Sequence, residues 1–575
     1  MRGLKLTTFV VPLALLAIIT AAFAAWVYWN EDGVPVSTAS GGKRECAATQ
    51  DGEGGIIVAW TDTRNSDEYS GSDIYAQRIS STGEALWQLD GLDVCTGSAT
   101  HQGPVAVSDA AGGAIITWFD ERAWEANIYA QRVDALGDTL WPLNGICVSD
   151  SGCYYAEHAT VSDGAGGAIV VWERPHSETG TKGINGHRVA ASGSLMWAPG
   201  GAGLLSFEGT AGYLYIYELS IIPAGADSFI IAAFLEDESG DRILAQKVDV
   251  SGTVHWGPSG ISVVGGSYYG AWSMVSDGAG GAIITWEESP GEYADIYAQR
   301  VSASGDLLWY PTGVPVCTAV GDQHYPVSTT DGAGGAIVAW MDRRIWGDSD
   351  VYAQRLDPSG NCLWTSDGVS LCTTAGEQGN WDGLSVVPAG TNGAIVFFEN
   401  YLPLTRSDIC AQMVDSGGSL LCTSDGLPVI TANGNQQEPV AVSDGSDGAI
   451  VVWRDRLPAP DTHLYAQRVG GSVSAVGPRD PSAHGGTLAQ NVPNPFSSST
   501  RIDFQTDVGG DVRLEVFDVS GRLVRVIHDG PVLPQGQSKS WDGRDEHGRP
   551  LPSGVYFCKA VGEGWSSVKK MTLAR

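Results

Sequence analysis

Along most of the chain, short apolar runs alternate with polar, glycine-rich breaks in a pattern that returns. The clearest copy is SDGAGGAIVVW, ending at Trp172, followed after a variable gap by a run like DIYAQRV and then by LW with a glycine four residues on. Apolar, β-branched runs this short, bounded by turn residues, predict strands. In one copy, Pro104 to Ser108, Ala114 to Trp118 and Asn127 to Val133 predict three strands, and Leu140 with Trp141 is expected to open a fourth that passes Gly145. The break between the first two holds Gly112 and Gly113, which suit the positive φ of a tight hairpin.

The final aromatic of the second run recurs as Trp60, Trp118, Trp172, Phe234, Trp286, Trp340, Phe398 and Trp453. Each copy is long enough for one four-stranded unit. The last copy stops at Val469 without its LW phrase, and the missing phrase stands at the other end of the chain. Trp29 to Thr38, WNEDGVPVST, matches Trp87 to Thr96, WQLDGLDVCT; counting Trp29, Trp87, Trp141, Trp197, Trp256, Trp309, Trp364 and Cys422 completes eight fourth strands. Such a permutation closes a ring without leaving an open sheet edge. The predicted fold is all-β: an eight-bladed β-propeller over residues 25–469, similar to repeat propellers generally, closed by an N-terminal strand.

The first residues read as an export signal. Arg2 and Lys5 precede an apolar run, and Ala22-Phe23-Ala24 forms an A-x-A cleavage site, so residues 1–24 are expected to be removed. An uncleaved anchor is the alternative, and no later segment is apolar enough to span a bilayer. The formal net charge of −33 argues against nucleic acid and anionic membranes. Ten cysteines show neither CxxC spacing nor a dense framework. Cys95, Cys317 and Cys372 occupy one blade position and read as small buried hydrophobes, while Cys362 with Cys372 and Cys410 with Cys422 are candidate bridges.

A Gly, Ser and Pro-rich linker over 470–487 leads to a different module at 488–575. Asn491, Pro493, Asn494, Pro495 and Phe496 form an NxPNPF phrase, Asp518, Gly521 and Arg522 a DxxGR phrase, Trp541, Asp542, Gly543 and Arg544 a WDGRD phrase, and Ser553, Gly554, Val555 and Tyr556 an SGVY phrase. This module resembles the Ig-like domain of the flagellar hook-capping protein and type A sorting domains of type IX secretion. Phe517 stands where that pattern has tyrosine. The resemblance implies a β-sandwich, a secretion machinery as partner, and secretion or display at the cell surface.

No GxSxG, HExxH, CxxC pair, P-loop or GxGxxG motif is present, so no catalytic residue is assigned. The repeated Asp109, Asp163, Asp277 and Asp331 are expected to cap their turns. The repeated Arg78, Arg132, Arg188, Arg300, Arg355 and Arg468 are read as structural, with Asp62, Asp120, Asp342 and Asp455 as their partners. No cofactor is expected; SDGSDG at Ser443 to Gly448 and WDGRDEHG at Trp541 to Gly548 offer oxygen ligands for loop calcium without completing an EF-hand. Metal binding is otherwise left open.

In a repeat protein, function belongs where copies differ. The two variable connections share one face, and the one before each innermost strand carries His101, Gln102, Tyr155, His158, Tyr269, Trp272, His324, Tyr325, Trp381 and Gln437. Rings and amides with few cations suit a glycan or a peptide. The expected function is non-enzymatic binding or adhesion by a secreted or surface protein; the alternative is a polysaccharide-active hydrolase or lyase on the same scaffold.

Overall fold

The computed structural model describes residue 29 and residues 33–575, apart from 67–70, 124–125, 150–156, 175–181, 208–213, 239, 266–268, 290, 310–311, 346–347, 375, 380–382, 403–405, 431, 433, 457–460, 471–485, 489–490, 492, 507–509, 519–521, 533–536 and 563–564. Among the described residues all regular structure is strand. The chain divides into two compact units, 1–472 and 473–575.

The described residues of the first unit form eight four-stranded antiparallel sheets. The second sheet is representative: His101–Ser108, Ala114–Asp120, Asn127–Val133 and Ile146–Cys147, paired in that order. The second strands are buried on both faces, which is why AIITWFD carries a continuous apolar run instead of an alternation. In the eighth sheet, Asn435–Ser443, Gly448–Arg456 and Thr462–Gly470 are completed by Val34–Ser37 from the start of the chain. First strands of consecutive sheets pack on one another in sequence order, and the first strand of the eighth sheet, Asn435–Ser443, packs on that of the first, Lys43–Gln50. The core lies between successive sheets, for example Ile57, Ala59 and Ala76 of the first with Ile116 and Trp118 of the second.

The LW phrases do not open the fourth strands. Trp87 sits in a turn, and the fourth strand begins after the glycine, at Leu92–Cys95. The tryptophan is instead a wedge between sheets: Trp87 Nε1 donates to Ala135 O at 3.1 Å in the following sheet, and its backbone N–H donates to Gln77 Oε1 at 3.0 Å. Trp141, Trp197, Trp256, Trp309, Trp364 and Trp29 repeat the Nε1 bond with Ala191, Val250, Ala303, Pro358, Ser416 and Ser81. Cys422 stands where the seventh sheet would carry its wedge; the third and fourth strands of the eighth sheet come from opposite ends of the first unit, so no local turn joins them.

The repeat arginine also finds a different partner. Arg132 Nε and its terminal nitrogen bond Asp109 Oδ2 at 3.0 and 2.8 Å, not Asp120. Asp109 Oδ1 meanwhile accepts from Ala111 and Gly113 N–H groups at 2.8 Å, the expected cap. The same double use holds at Asp163, Asp277, Asp331 and Asp444. The second class of aspartates serves its own strand end: Asp120 Oδ2 accepts from Trp118 Nε1 at 2.8 Å and pairs Arg122.

Cys362, Cys372, Cys410 and Cys422 are free thiols, so neither candidate bridge forms. Cys362 is exposed in its turn with its Sγ toward Pro315 O, while buried Cys372 faces Thr374. Cys95, Cys317 and Cys372 are fully buried as small apolar groups, and burial pushes the first two thiols up to about 12.

The second unit packs a three-stranded sheet, Gly486–Leu488, Thr500–Thr506 and Gln537–Trp541, with a four-stranded one ordered Leu523–Val532, Gly510–Asp518, Gly554–Gly562 and Trp565–Leu573. Phe496, Trp541, Tyr556, Met571 and Leu573 share its core. Asn494 Oδ1 accepts from Thr572 N–H at 2.7 Å, Phe496 N–H donates to Thr572 O at 3.0 Å, and the Phe496 ring lies 5.5 Å from that of Trp541. The NxPNPF and WDGRD phrases thus brace the last strand. Buried Asn491 bonds Thr500 Oγ1 at 2.8 Å, and Gly543 takes φ +68° against Leu573. Pro493, Pro495, Arg522, Asp542 and Gly554 are exposed, and Gly521 lies outside the described residues.

Candidate functional site

The starts of the first strands, the ends of the second and the starts of the third lie level with one another, as His101 opposite Asp120 and Asp120 opposite Asn127 show. The variable connections therefore gather at one end of the sheets. Here the first strand is bulged. Register shifts fall between Arg44 and Ala47, Gln102 and Val105, Tyr217 and Leu219, His324 and Val327, and Gln437 and Val440. The bulged residues Glu45, Glu218, Tyr325 and Glu438 hold φ of +51°, +47°, +55° and +57°. Gly103, at +62°, is the only glycine among these five. A bulge re-aims one side chain out of the ladder, and a non-glycine residue in this region stores about 1 kcal/mol or more.

Carboxylates tie these bulges from sheet to sheet. Glu45 Oε2 accepts from Gly103 N–H at 2.7 Å, Glu157 Oε2 from Leu219 N–H at 3.4 Å, Glu287 Oε2 from Tyr325 N–H at 3.5 Å, and Glu399 Oε1 from Glu438 N–H at 2.8 Å. Each bond runs from an odd-numbered sheet to the next even one. Around them, Glu287 Oε1 pairs His324 Nδ1 at 2.9 Å. Tyr401 donates to Glu399 Oε2 at 2.6 Å and accepts from Gln437 Nε2 at 3.3 Å. Arg454 pairs Glu438, and Lys182 lies 3.8 Å from Glu173. Glu287 and Glu399 are buried, while Glu45 and Glu157 are exposed and Glu438 partly so.

The structure brings His324, Tyr325 and Gln437 into this network. His158 Nε2 lies 3.1 Å from Thr117 Oγ1 of the neighbouring sheet, and burial pushes its imidazole down to about 4. Gln102 is half-buried beside the Gly103 bulge. Trp272 is core, packed with Met274, Ile284 and Trp286. Tyr269 is placed by its backbone at the start of the fifth sheet; Tyr155 and Trp381 lie outside the described residues. His101 is buried with Nδ1 2.7 Å from Ser72 O. Its ring, Cys95 Sγ and Asp120 could be brought to a single ion, their ligand atoms lying within 4.8 Å of one another. The Arg122 guanidinium already fills that role, 2.5 Å from Asp120 Oδ2 and 3.2 Å from Cys95 Sγ.

Sequence reasoning missed Glu45, Glu218, Glu399, Tyr401 and Glu438. A signal for the bulges was present: Pro104, Pro326 and Pro439 each follow a bulged residue, and proline inside a strand is confined to edges, strand starts and bulges. At the opposite end, a cavity of about 350 Å³ lined by Met413, Leu421 and Asp447 lies in the seam where the wedge tryptophan is missing.

No helix of the described residues is long and apolar enough to cross a membrane. No protein-family model and no curated protein sequence matches the chain. Among solved structures, it is similar to a Dyadobacter fermentans protein of unknown function (11% identity, TM-score 0.36, covering 78% of this chain and 99% of that one). It is similar also to the polysaccharide lyase Uly1 (10% identity, TM-score 0.38, covering 62% and 88%) and to the Hadza microbial sialidase Hz136 (14% identity, TM-score 0.34, covering 54% and 66%). At these levels the likenesses carry no argument about activity.

Proposed function

We propose that the chain is an exported protein whose first unit is a closed eight-bladed β-propeller engaging a polysaccharide at the bulged end of its ring, with an Ig-like second unit that serves secretion or surface attachment. The observation that supports this reading is the strain: Glu45, Glu218, Tyr325 and Glu438 hold left-handed backbone where glycine would fit freely. Strain kept on polar residues at one end of the sheets marks a site. Carboxylates, a phenol and the Gln437 amide are groups that hydrogen-bond sugar hydroxyls, and an open tyrosine ring stacks on a pyranose face. A net charge of −33 selects neutral or basic polymers over polyanions.

The test is an array of neutral, amino-sugar and anionic polysaccharides probed with the full chain. Binding to neutral or amino-sugar polymers is expected, with Tyr325→Gly losing it while keeping or raising thermal stability, and Glu438→Gly losing it as well. Retention by anionic polymers only, or undiminished binding by both variants, rejects the reading. A second reading, cleavage of the bound polymer, is favoured by Tyr401, whose hydroxyl donates to buried Glu399 at 2.6 Å beside Glu438. A phenol held by a carboxylate is poised as a nucleophile. Release of reducing ends or unsaturated products, abolished in Tyr401→Phe, decides between binding and cleavage.

A further inference from the structure

The carboxylate of Asp350 opens the third strand of the sixth sheet, Asp350–Leu356. It is 1% exposed, and among the described residues neither of its oxygens has a hydrogen-bond partner. Beside it, Gln378 is fully buried, and its side-chain Oε1 is likewise unpartnered among the described residues. The two are held together by the backbone: Gln378 N–H donates to Ser349 O at 2.8 Å and Ser349 Oγ donates to Gln378 O at 3.2 Å. Asp348 joins them, since its Oδ1 accepts from Gly376 N–H at 2.8 Å while Gln378 Nε2 donates to Gly376 O at 3.1 Å.

The equivalent position in the first sheet shows what is lacking. Asp73 Oδ2 accepts from Asn65 Nδ2 at 2.9 Å and Oδ1 from Gly97 N–H at 3.0 Å, and the His101 ring stands 3.8 Å from Oδ1. In the sixth sheet Ile345 replaces Asn65 in the repeat, and Gln378 replaces His101. Arg344 does not make up the loss. Its guanidinium is committed to Asp342 at 2.7 and 2.8 Å and to Asp367 O at 2.8 Å. Buried oxygens without donors are costly, and two carboxylates with an amide oxygen form the hard ligand set of a calcium ion.

We propose that Asp350, Asp348 and the Gln378 side-chain carbonyl bind a divalent cation of the calcium type at the junction of the sixth and seventh sheets. The site is separate from the loop phrases at Ser443 to Gly448 and Trp541 to Gly548, and does not depend on the polysaccharide reading.

The experiment uses the full chain stripped with EDTA and dialysed, followed by calorimetric titration with Ca²⁺ alone and thermal unfolding with and without millimolar Ca²⁺. Wild type is expected to gain several degrees in Tm with Ca²⁺. Asp350→Asn should bind one equivalent fewer, lose that gain, and unfold in EDTA at or above the wild-type temperature, since a buried unpaired charge is gone. Asp348→Asn should weaken the same binding event while leaving the metal-free Tm in place. A wild type indifferent to Ca²⁺, or an Asp350→Asn variant with undiminished stoichiometry and Tm gain, overturns the proposal.

Discussion

Gly83 of the first sheet lies under the indole of Trp29, so closely that a Cβ on it would come within 2.9 Å of the ring, while Trp29 Nε1 donates to Ser81 O at 3.1 Å. The start of the chain thereby supplies the eighth sheet's wedge against the first. Trp29→Ala is expected to cost about 2 kcal/mol by lost apolar burial, and removal of 29–38 considerably more. Gly83→Val should mimic the point substitution by clash and by its φ of +85°. Urea unfolding of the three variants checks this; wild-type stability in the deletion would reject closure by that strand.

The aspartates of the inner turns differ from those of the outer turns. Asp109 caps two N–H groups and pairs partly buried Arg132, whereas Asp357 has no cation partner among the described residues and bonds the Ser359 and Asn361 N–H groups and the Asn361 side chain of its own turn. Asp109→Ala should destabilise by about 3 kcal/mol, because it leaves a guanidinium unpaired at a sheet junction. Asp357→Ala should cost about 1 kcal/mol. Equal values from denaturant titrations would show that the Arg132 pairing contributes nothing.

His158 predicts a pH dependence. Burial holds its folded imidazole at about 4, below the ordinary histidine value of 6.5 that the unfolded chain keeps. The neutral ring's contribution is therefore complete above pH 6.5 and is lost as pH falls from 6.5 through 4. The drop in Tm between pH 7 and pH 5 should shrink in His158→Gln. An NMR titration of the His158 ring showing a midpoint near 6.5 would remove the effect.

Each unit has its own core, so a chain ending at residue 472 should fold with the wild-type near-UV spectrum and urea midpoint of its tryptophan-rich part. If the second unit directs secretion, that truncated chain should accumulate in the periplasm of a host with type IX secretion. Normal surface display of it would leave the second unit as a structural cap.

The sheets were legible because each repeats an anchor aromatic in a doubly buried strand, and the missing fourth strand was found by matching WNEDGVPVST with WQLDGLDVCT. What misled was proximity in sequence. Asp62 and Arg64 do pair with each other, but Arg78 reaches back to Asp51 across the hairpin register. The LW phrase reads as strand because an aromatic beside leucine has that propensity, yet Trp87 is placed by the next sheet's turn, which no local pattern encodes. The bulged end was legible only where an aromatic or histidine stood out. Glu399 and Tyr401 lie on second-strand ends, and their role depends on Gln437 and Glu438 arriving from the following sheet.

Trp29 bonds Gln467 across 438 positions of sequence. In synthesis from the N-terminus, the first strand to emerge is also the last to find its partner. Seven sheets can form from local hairpins while the chain is still being made, but the eighth stays incomplete until Thr462–Gly470 has emerged. Contacts of such separation form late and slowly. A chain stopped short of Thr462–Gly470 would keep an unpaired Val34–Ser37 segment and an open sheet edge, the feature that folded sheet proteins cover.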